Sequence, residues 1–446
     1  MNGPWFAEQL AAAGLDTLEV QAKAILFDRV LGAFREISPD SPDLVSWVPG
    51  RLEVFGTHTD YAGGQTLVSA LPRGFAFAAK LRTDRKLRVL DASTRESLTI
   101  DTGEPMRGVT GWRHYVEVVL DRLSRNFQGA PLGADIVFAS DLPRAAGMSS
   151  SSALIVGVAS TLTRLSGIRD RDEWRRDVPG PLQEAGYYAC IENGRSFGAL
   201  SGHDGVGTHG GSEDHAAMLC ATAGSLTSFA FVPMREIGTV RVPDDWRVVV
   251  ASSGVAAEKT GAALGLYNRL VHGASALLDL WNAFETPAHS LAAALSSAPD
   301  ASARLQRHID GSQISDWPPD ALSSRLQHFV HEDTRVRHAL LAFRNEDVTG
   351  LGELASASQR EAETLLGNQV TQTVALTQLA LEAGAFAARS FGAGFGGSVW
   401  ALVTRDRSSA FADDWLNSYV GNFSGTRRPV AFLASPAPSL VEFSYS

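Results

Sequence analysis

The residues from Pro49 to Gly64, PGRLEVFGTHTDYAGG, combine a cation, a histidine and a carboxylate within one turn-rich stretch. The carboxylate of Asp60 accepts hydrogen bonds from hydroxyl groups, His58 donates or accepts, and Arg51 offers a planar fork for a phosphoryl oxygen. This combination predicts a site for a polar, hydroxylated ligand. The residue types alone leave an equally open alternative, a solvated loop with an internal ion pair.

A second segment, DLPRAAGMSSSSAL from Asp141 to Leu154, follows a predicted strand at 134–140 and opens a predicted helix at 150–166. Small residues let the backbone approach an anion closely, and a helix N-terminus attracts phosphate through its free N–H groups and its dipole. A serine hydroxyl there also suits the magnesium ion that accompanies a nucleotide. We therefore favour phosphate binding over an ordinary serine N-cap. The expected nucleotide contacts are Gly147, Met148, Ser149, Ser150 and Ser151.

Two further features are less specific. The run FGAGFGGS at 391–398 precedes an apolar strand and matches neither a Walker loop nor a dinucleotide fingerprint, which a helix should follow. Close packing of two backbones explains it best when it is taken alone. The acids Glu192 and Asp214 flank a glycine-rich stretch, where a glutamate suits a hard cation and an aspartate suits a hydroxyl proton. Solvated acids beside a loop are an equally open alternative.

The elements that must position these residues are mixed. Alternating or β-branched runs predict strands at 44–49, 87–93, 134–140 and 246–253, and apolar spacing predicts helices at 112–124, 150–166, 262–285 and 369–389. The stretches 194–213 and 286–320 are predicted to be loops because of their glycine, serine, alanine and proline content. The first is long enough to be functional. The fold class predicted from this mixture is α+β.

Composition limits the partners of the chain. Its 446 residues exceed the usual ceiling of roughly 250–300 for one core, so two domains are expected, with a change of composition near 215–245. Its net charge of −10 argues against a nucleic-acid-binding surface, and no stretch approaches the roughly 20 apolar residues of a membrane span. With two cysteines and no signal-peptide pattern at its N-terminus, the chain is expected to be cytoplasmic, with both thiols reduced.

Taken together and in this order, the segments resemble the GHMP small-molecule kinases, and within them the galactokinase branch. PGRLEVFGTHTDYAGG looks like the galactokinase signature, GMSSSSAL like the phosphate loop, and GAGFGGSVWALV like the C-terminal glycine motif. Three ordered motifs over residues 47–403 are far more specific than any one of them. The resemblance implies a two-domain fold, with domains at 1–220 and 221–446 and the active site in the cleft between them. It also implies ATP and Mg²⁺ as cofactors.

The resemblance also implies roles for individual residues. Asp214 falls at the catalytic aspartate and Arg51 at the arginine that stabilises the transferred phosphoryl group, while Ser150 and Glu192 fall at the magnesium ligands. Trp112 falls at an aromatic residue near the nucleotide base. The positions implied to bind the sugar are Thr57, His58, Asp60, Gly211 and Tyr267.

Three departures from the family pattern concern the substrate. The signature normally reads GEHTDY, with the glutamate contacting an outer hydroxyl of galactose, and this chain has Thr57 there. The aspartate segment normally reads GIMDQ and here reads GSEDH, after an apparent insertion of about ten residues beyond Glu192. The phosphate loop has Arg144-Ala145-Ala146 before Gly147, one glycine fewer than usual.

The function expected on these grounds is ATP-dependent phosphorylation of the anomeric hydroxyl of galactose or a galactose-like sugar. Arabinose, fucose and galacturonate stay open as substrates, whereas the HTDY segment disfavours an alcohol such as mevalonate. A sugar- and nucleotide-binding sensor without turnover is the alternative from another class. The expected partners are the sugar and the nucleotide, without nucleic acid or membrane, and the chain is expected to be a monomer or a weak homodimer.

Overall fold

Strands and helices alternate through the first half of the chain. The structure is a computed structural model, and it describes residues 1–104, 108–257, 261–312, 316–423 and 429–444. The elements as far as residue 220 are α1 (Gly3–Ala12), α2 (Val20–Ile37), β1 (Leu44–Phe55), β2 (Gln65–Leu81), β3 (Lys86–Asp91), β4 (Ser97–Asp101), α3 (Trp112–Asn126), β5 (Ala134–Ser140), α4 (Ser150–Leu165), α5 (Asp172–Asp177), α6 (Pro181–Asn193) and α7 (Glu213–Cys220).

The second half of the chain contains longer helices. Its elements are β6 (Ser225–Ala230), β7 (Arg235–Arg241), β8 (Trp246–Ser252), α8 (Gly261–Phe284), α9 (Leu291–Leu295), α10 (Ala301–Gly311), α11 (Pro319–Arg344), α12 (Val348–Glu361), α13 (Thr371–Glu382), β9 (Ala387–Phe391), β10 (Ser398–Thr404), α14 (Ser408–Asn422), β11 (Ala431–Leu433) and β12 (Val441–Ser444). Within the described ranges no helix is both long enough and apolar enough to cross a membrane.

The strands form two sheets. The larger sheet has the order β12-β1-β2-β5-β3-β4, with β6 added to β2 and β7 to β6. Among its described strand pairs β3–β5 is parallel and the others are antiparallel. The smaller sheet has the order β11-β8-β10-β9 and is antiparallel throughout. The last strand, β12, therefore returns to the first sheet, where Val441 pairs with Trp47. The predicted domain boundary at residue 220 stays a prediction.

Strand β1 of the larger sheet is covered on both faces. Along β1 the side chains of Val45 and Trp47 pack with α1 and α2, whereas Val48 and Leu52 join the core formed with α3 and α4. Successive side chains of a strand point to opposite faces, so a strand between two helical layers is apolar along its whole length. All twelve residues of β1 are buried. Arg51 lies in the second half of this strand, next to the candidate site.

The structure confirms most of the predicted elements, and the chain has the α+β class expected. Two predictions were wrong. The helix predicted at 369–389 ends at Glu382, and strand β9 begins at Ala387, because Gly384 reverses the chain in a left-handed conformation (φ 99°). The loop predicted at 286–320 contains α9 and α10, since three of its large apolar side chains, Leu291, Leu305 and Ile309, are buried in a helical cluster.

The helix behind the phosphate loop packs without space for an added methyl group at Gly157. A Cβ there would overlap the ring of Phe77 on β2, whereas a Cβ at Gly32 in α2 would meet nothing within 4 Å. We expect Gly157→Ala to lower the free energy of unfolding by about 1–3 kcal/mol through overpacking. The control Gly32→Ala should raise it by up to about 1 kcal/mol, because alanine favours helix. Denaturant unfolding measures both, and equal effects would contradict the packing argument.

Candidate active site

The guanidinium of Arg51 joins three segments of the chain. Its Nε donates to Asp214 Oδ1 at 2.6 Å, and its Nη2 lies 3.0 Å from Glu213 Oε1. Its Nη1 is 3.5 Å from the carbonyl oxygen of Gly147 in the phosphate loop. Arg51 is 3% exposed. The end of β1, the start of α7 and the phosphate loop are therefore held together by one buried cation.

Burial alone would lower the pKa of Arg51, but the carboxylates of Asp214, Glu213 and Glu53 outweigh burial and raise it above its ordinary value. The guanidinium is therefore permanently charged where a phosphoryl group would approach. Burial also raises the pKa of Glu213 well above its usual range, with Glu53 adding to the shift and Arg51 opposing it. Two adjacent carboxyl groups, on Glu213 and Asp214, thus contact the same cation.

A serine bridges the two acids that the sequence predicted to act together. Ser152 Oγ lies 2.8 Å from Glu192 Oε2 and 3.3 Å from Asp214 Oδ2. His215 Nε2 is 3.3 Å from the same Glu192 oxygen, and all four residues are buried. Glu192 and Asp214, at the end of α6 and the start of α7, therefore face one another although the 194–213 loop separates them in the chain.

The predicted sugar-binding residues Asp60 and Gly211 lie against each other beside this centre. Asp60 accepts hydrogen bonds from the backbone N–H of Tyr61 at 2.8 Å and of Glu213 at 3.1 Å. A Cβ on Gly211 would overlap the Asp60 carboxylate, so this position has to be glycine for the two segments to meet. Both residues line the same cavity as Asp214.

His58 and Tyr267 complete the wall of this cavity. His58 Nε2 lies 3.1 Å from the carbonyl oxygen of Ala393, which can only accept, so this nitrogen carries the proton and Nδ1 accepts from Tyr61 Oη at 3.0 Å. The Tyr267 ring lies 5.7 Å from the His58 ring. Burial raises the pKa of Tyr267 well above its ordinary value, and the charge of Asp60 adds to the shift, so its hydroxyl stays a donor.

Thr57 occupies a different place from its predicted neighbours. Its hydroxyl donates to Glu53 and is contacted by the guanidinium of Arg389, and it is not among the residues that line the cavity. Arg389 in turn lies 3.0 Å from Glu332 on α11, whose pKa is about 2 because the arginines around it outweigh the effect of burial. Within the described residues, Thr57 therefore lies beneath the cavity, and Glu53 is the side chain of this group that lines it.

The phosphate loop lies on the other side of Arg51. Ser149, at the N-terminus of α4, has a left-handed backbone (φ 60°), as has Gly147 (φ 72°). Gly147, Ser149, Ser150 and Ser151 line a second cavity of about 930 Å³, while Met148 is buried behind them. This volume is typical of a cofactor-sized site. The loop thus presents the N-terminus of a 16-residue helix to the cavity, as a phosphate site requires.

Trp112, at the start of α3, lines this second cavity with Phe75, Tyr115 and Phe138. The indole packs edge-on against Phe138 at 5.2 Å, and its Nε1 donates to Glu96 Oε2 at 3.1 Å. A cavity that combines aromatic side chains with a helix N-terminus matches a ligand with an aromatic base and phosphates. Arg51 and Ala393 line both cavities, so the two cavities meet at the Arg51 guanidinium.

The glycine-rich run 391–398 packs against the phosphate loop, as the sequence analysis favoured. A Cβ on Gly396 would lie 2.8 Å from the Val255 carbonyl oxygen, and Ser398 Oγ donates to the Ala146 carbonyl at 2.7 Å. The run also reaches the site, because Gly392 N lies 3.3 Å from Glu53 Oε2 and Ala393 accepts from His58. Backbone packing and site construction are thus combined in one turn.

Sequence reasoning missed several residues that contact the predicted ones. Glu53, Ser152, Glu213 and Arg389 each bond to a predicted site residue. Ser152 carried a weak signal as the last of four consecutive serines, and Glu213 as a neighbour of Asp214. Nothing in the local sequence indicates that Arg389 reaches Thr57, because this contact depends on packing between β9 and the end of β1.

Three family models match this chain: the galactokinase galactose-binding signature at residues 32–81, the GHMP kinase N-terminal domain at 114–177, and the GHMP kinase C-terminal domain at 339–421. The galactokinase of Chloroflexus aurantiacus is 29% identical over 92% of this chain and 96% of its own length. The galactokinase of Roseiflexus sp. is 28% identical, covering 85% of this chain and 88% of the relative.

Solved structures share the fold. The galactokinase of Lactococcus lactis, complexed with galactose, superposes with a TM-score of 0.74 at 22% identity, over 92% of this chain and 98% of that one. The mevalonate kinase of Methanococcus jannaschii has a TM-score of 0.55 at 13% identity, over 88% and 98% of the two chains. The chain thus carries matches to both the N-terminal and the C-terminal domain of the GHMP kinases. Within them, its signature segment and its relatives place it in the galactokinase-like branch, as the sequence analysis expected.

The contact between Thr57 and Glu53 gives a test of this part of the site. Thr57→Glu would bury a second carboxylate beside Glu53, and we expect it to lower the free energy of unfolding by about 3 kcal/mol or more. Adding Glu53→Gln restores the number of charges facing Arg389 and should recover at least about 1 kcal/mol. A double-mutant cycle measured by denaturant unfolding checks this. Purely additive costs would show that the two positions do not interact.

Proposed function

We propose that this chain is an ATP-dependent kinase that transfers the γ-phosphate to the anomeric hydroxyl of galactose or a galactose-like sugar. One observation carries the proposal. Asp214 and Arg51 form a buried ion pair where a cavity lined by hydrogen-bonding side chains suited to a sugar meets the cavity of the phosphate loop. The curated relatives named galactokinase and the galactose complex of the Lactococcus lactis enzyme support galactose as the acceptor.

In phosphoryl transfer, most of the catalysis is positioning and electrostatic stabilisation, because charge spreads over three equatorial oxygens. Asp214 is the proton acceptor for the anomeric hydroxyl, and the positive charge of Arg51 favours its ionised form. The second side of the Arg51 guanidinium faces the phosphate loop, where it meets the charge of the transferred group. Covalent attachment to the protein is not needed.

ATP is the phosphate donor that the family implies. The N–H groups at the start of α4 and the hydroxyls of Ser149 and Ser150 hold its phosphates, and Trp112 with its aromatic neighbours holds the base. Asp60 and Tyr267 orient the sugar by hydrogen bonds to its hydroxyls, and His58, whose two ring nitrogens are bonded to Tyr61 and Ala393, forms part of the cavity wall against it. Thr57 acts on the sugar through Glu53, its hydrogen-bond partner, which lines the cavity.

The residues present fit a magnesium ion. Glu192 supplies a buried carboxylate that bonds to Ser152 and shares a cavity with Ser151, and Ser150 supplies a hydroxyl on the wall of the phosphate-loop cavity. Mg²⁺ is commonly held by one or two protein oxygens together with phosphates, so a cluster of three protein ligands, which the described residues lack, is not required. When bound, the ion would neutralise charge on the β- and γ-phosphates.

The competing functions differ in what they predict. A sensor without turnover has no use for a buried Asp214–Arg51 pair at the junction of two ligand cavities, so we favour the enzyme. Arabinose, fucose and galacturonate stay alternatives as acceptors, and so does another alcohol. ADP release with ATP and magnesium, measured against these sugars, galactose and mevalonate, decides between them. Nucleotide and sugar binding without ADP release would indicate a sensor.

Three further expectations stay predictions: a cytoplasmic location, the absence of nucleic-acid and membrane partners, and a monomeric or weakly dimeric state.

Replacing the proposed proton acceptor should separate chemistry from binding. We expect Asp214→Asn to lower kcat by at least about 10²–10⁴-fold, because an amide does not accept the hydroxyl proton. Sugar binding, measured by calorimetry, should remain detectable. Asp170→Asn is the control, since this side chain is 85% exposed. Near-normal turnover of the Asp214 variant would remove this residue from the mechanism.

The role of Glu192 is visible in the magnesium dependence of the rate. Glu192→Gln removes a charged oxygen ligand while keeping the acceptor for Ser152. We expect the magnesium concentration for half-maximal rate to rise about tenfold or more. Glu173→Gln, an exposed position on α5, should leave it unchanged. An unchanged requirement in the Glu192 variant would assign this carboxylate to positioning Ser152 and Asp214 alone.

A further inference from the structure

One carboxyl oxygen in the site has no assigned task. Glu213 is 9% exposed, and its Oε1 pairs with Arg51 at 3.0 Å. Its Oε2 is buried and has no hydrogen-bond partner among the described residues. The residue lines the same cavity as Asp60, His58 and Asp214. Buried polar atoms are almost always hydrogen-bonded, so an oxygen at a cavity wall without a protein partner is open to a polar group of a ligand or to water.

The surroundings of this oxygen limit which ligand group suits it. Glu53, Asp60 and Asp214 line the same cavity and repel a further anion. Burial, reinforced by Glu53, raises the pKa of Glu213, so its carboxyl is held toward the protonated form, against the effect of Arg51. A hydroxyl donates to an ionised carboxyl and accepts from a protonated one. A hydroxyl therefore satisfies this oxygen in both states, whereas a carboxylate on the ligand would face three more acids.

We infer that Glu213 is a specificity-determining residue that binds one hydroxyl of the acceptor sugar through Oε2, a hydroxyl other than the one that is phosphorylated. This inference rests on the proposed function and names a contact within its site. Glu213 adjoins Asp214 in the chain, and both carboxyls bond to the Arg51 guanidinium, so the bound hydroxyl lies close to the reacting one. Glu213 thereby supplies a carboxyl group to the sugar cavity, whereas Thr57 supplies none.

The experiment combines a change in the protein with a change in the sugar. Wild-type enzyme, Glu213→Met and Glu213→Gln are each assayed for kcat/KM with galactose and with its 2-, 3-, 4- and 6-deoxy analogues. Methionine removes both hydrogen-bonding oxygens, and glutamine keeps an acceptor for Arg51 while removing the charge. With galactose, the methionine variant should lose about ten- to a hundredfold in kcat/KM, mostly through KM. With one deoxy sugar, the wild type and this variant should be nearly equal.

That selective loss of the difference identifies the hydroxyl that Glu213 binds, because the enzyme change costs nothing once its partner is missing. The same penalty on galactose and on all four deoxy sugars would overturn the inference and would make Glu213 a positioning residue for Arg51. Thermal unfolding shows that each variant is folded, and Glu173→Gln is the exposed control. A wild-type enzyme that phosphorylates no sugar refutes the proposed function instead. Calorimetric binding of the same sugars, read for the same selective loss, then still tests the Glu213 contact.

Discussion

The site depends on a charge taken out of water. Arg51 lies in β1, a strand that is buried on both faces. A guanidinium in such a place is tolerated only if its N–H donors are paired. Its partners come from the start of α7 and from the phosphate loop, so the electrostatic requirement of one side chain brings the sugar-side acids and the nucleotide-side loop to the same point. The same pairing stabilises the fold locally and prepares the charge that phosphoryl transfer needs.

A second buried cation, Arg389, connects the two halves of the chain. Arg389 on β9, in the smaller sheet, reaches Glu332 on α11 and the Glu53–Thr57 pair at the end of β1. The signature segment is therefore attached to the second half of the chain through charges rather than through apolar packing alone. This explains how threonine is accommodated at position 57: its hydroxyl bonds to the carboxylate of Glu53, four residues earlier in the chain, and that carboxylate lines the cavity.

The acid content of the sugar cavity gives the site its chemical character. Asp214 is paired with a cation and Glu192 with a serine and a histidine, while Glu213 has one oxygen bonded to Arg51 and one without a partner in the described parts of the chain. Identical functional groups thus differ in role because their partners differ, which is the usual way that a fold assigns acid, base and ligand functions to carboxyl groups. The glycines at 210–211 and 392–397 allow the chain segments that carry these groups to approach closely, so that the partners can meet.

Local sequence predicted the α+β class and most strands and helices, because short motifs and apolar periodicity are local properties. It also predicted a site around Arg51, Asp60 and Asp214, and the structure brings these three side chains to one cavity. It did not determine the helices within 286–320, where three buried apolar side chains override an alanine- and serine-rich composition. Three features follow from the tertiary fold alone: Thr57 does not line the cavity, Ser152 bridges Glu192 and Asp214, and Glu213 Oε2 has no hydrogen-bond partner among the residues that the structure describes. Each of these depends on contacts between residues far apart in the chain, and local sequence carries no signal for such contacts.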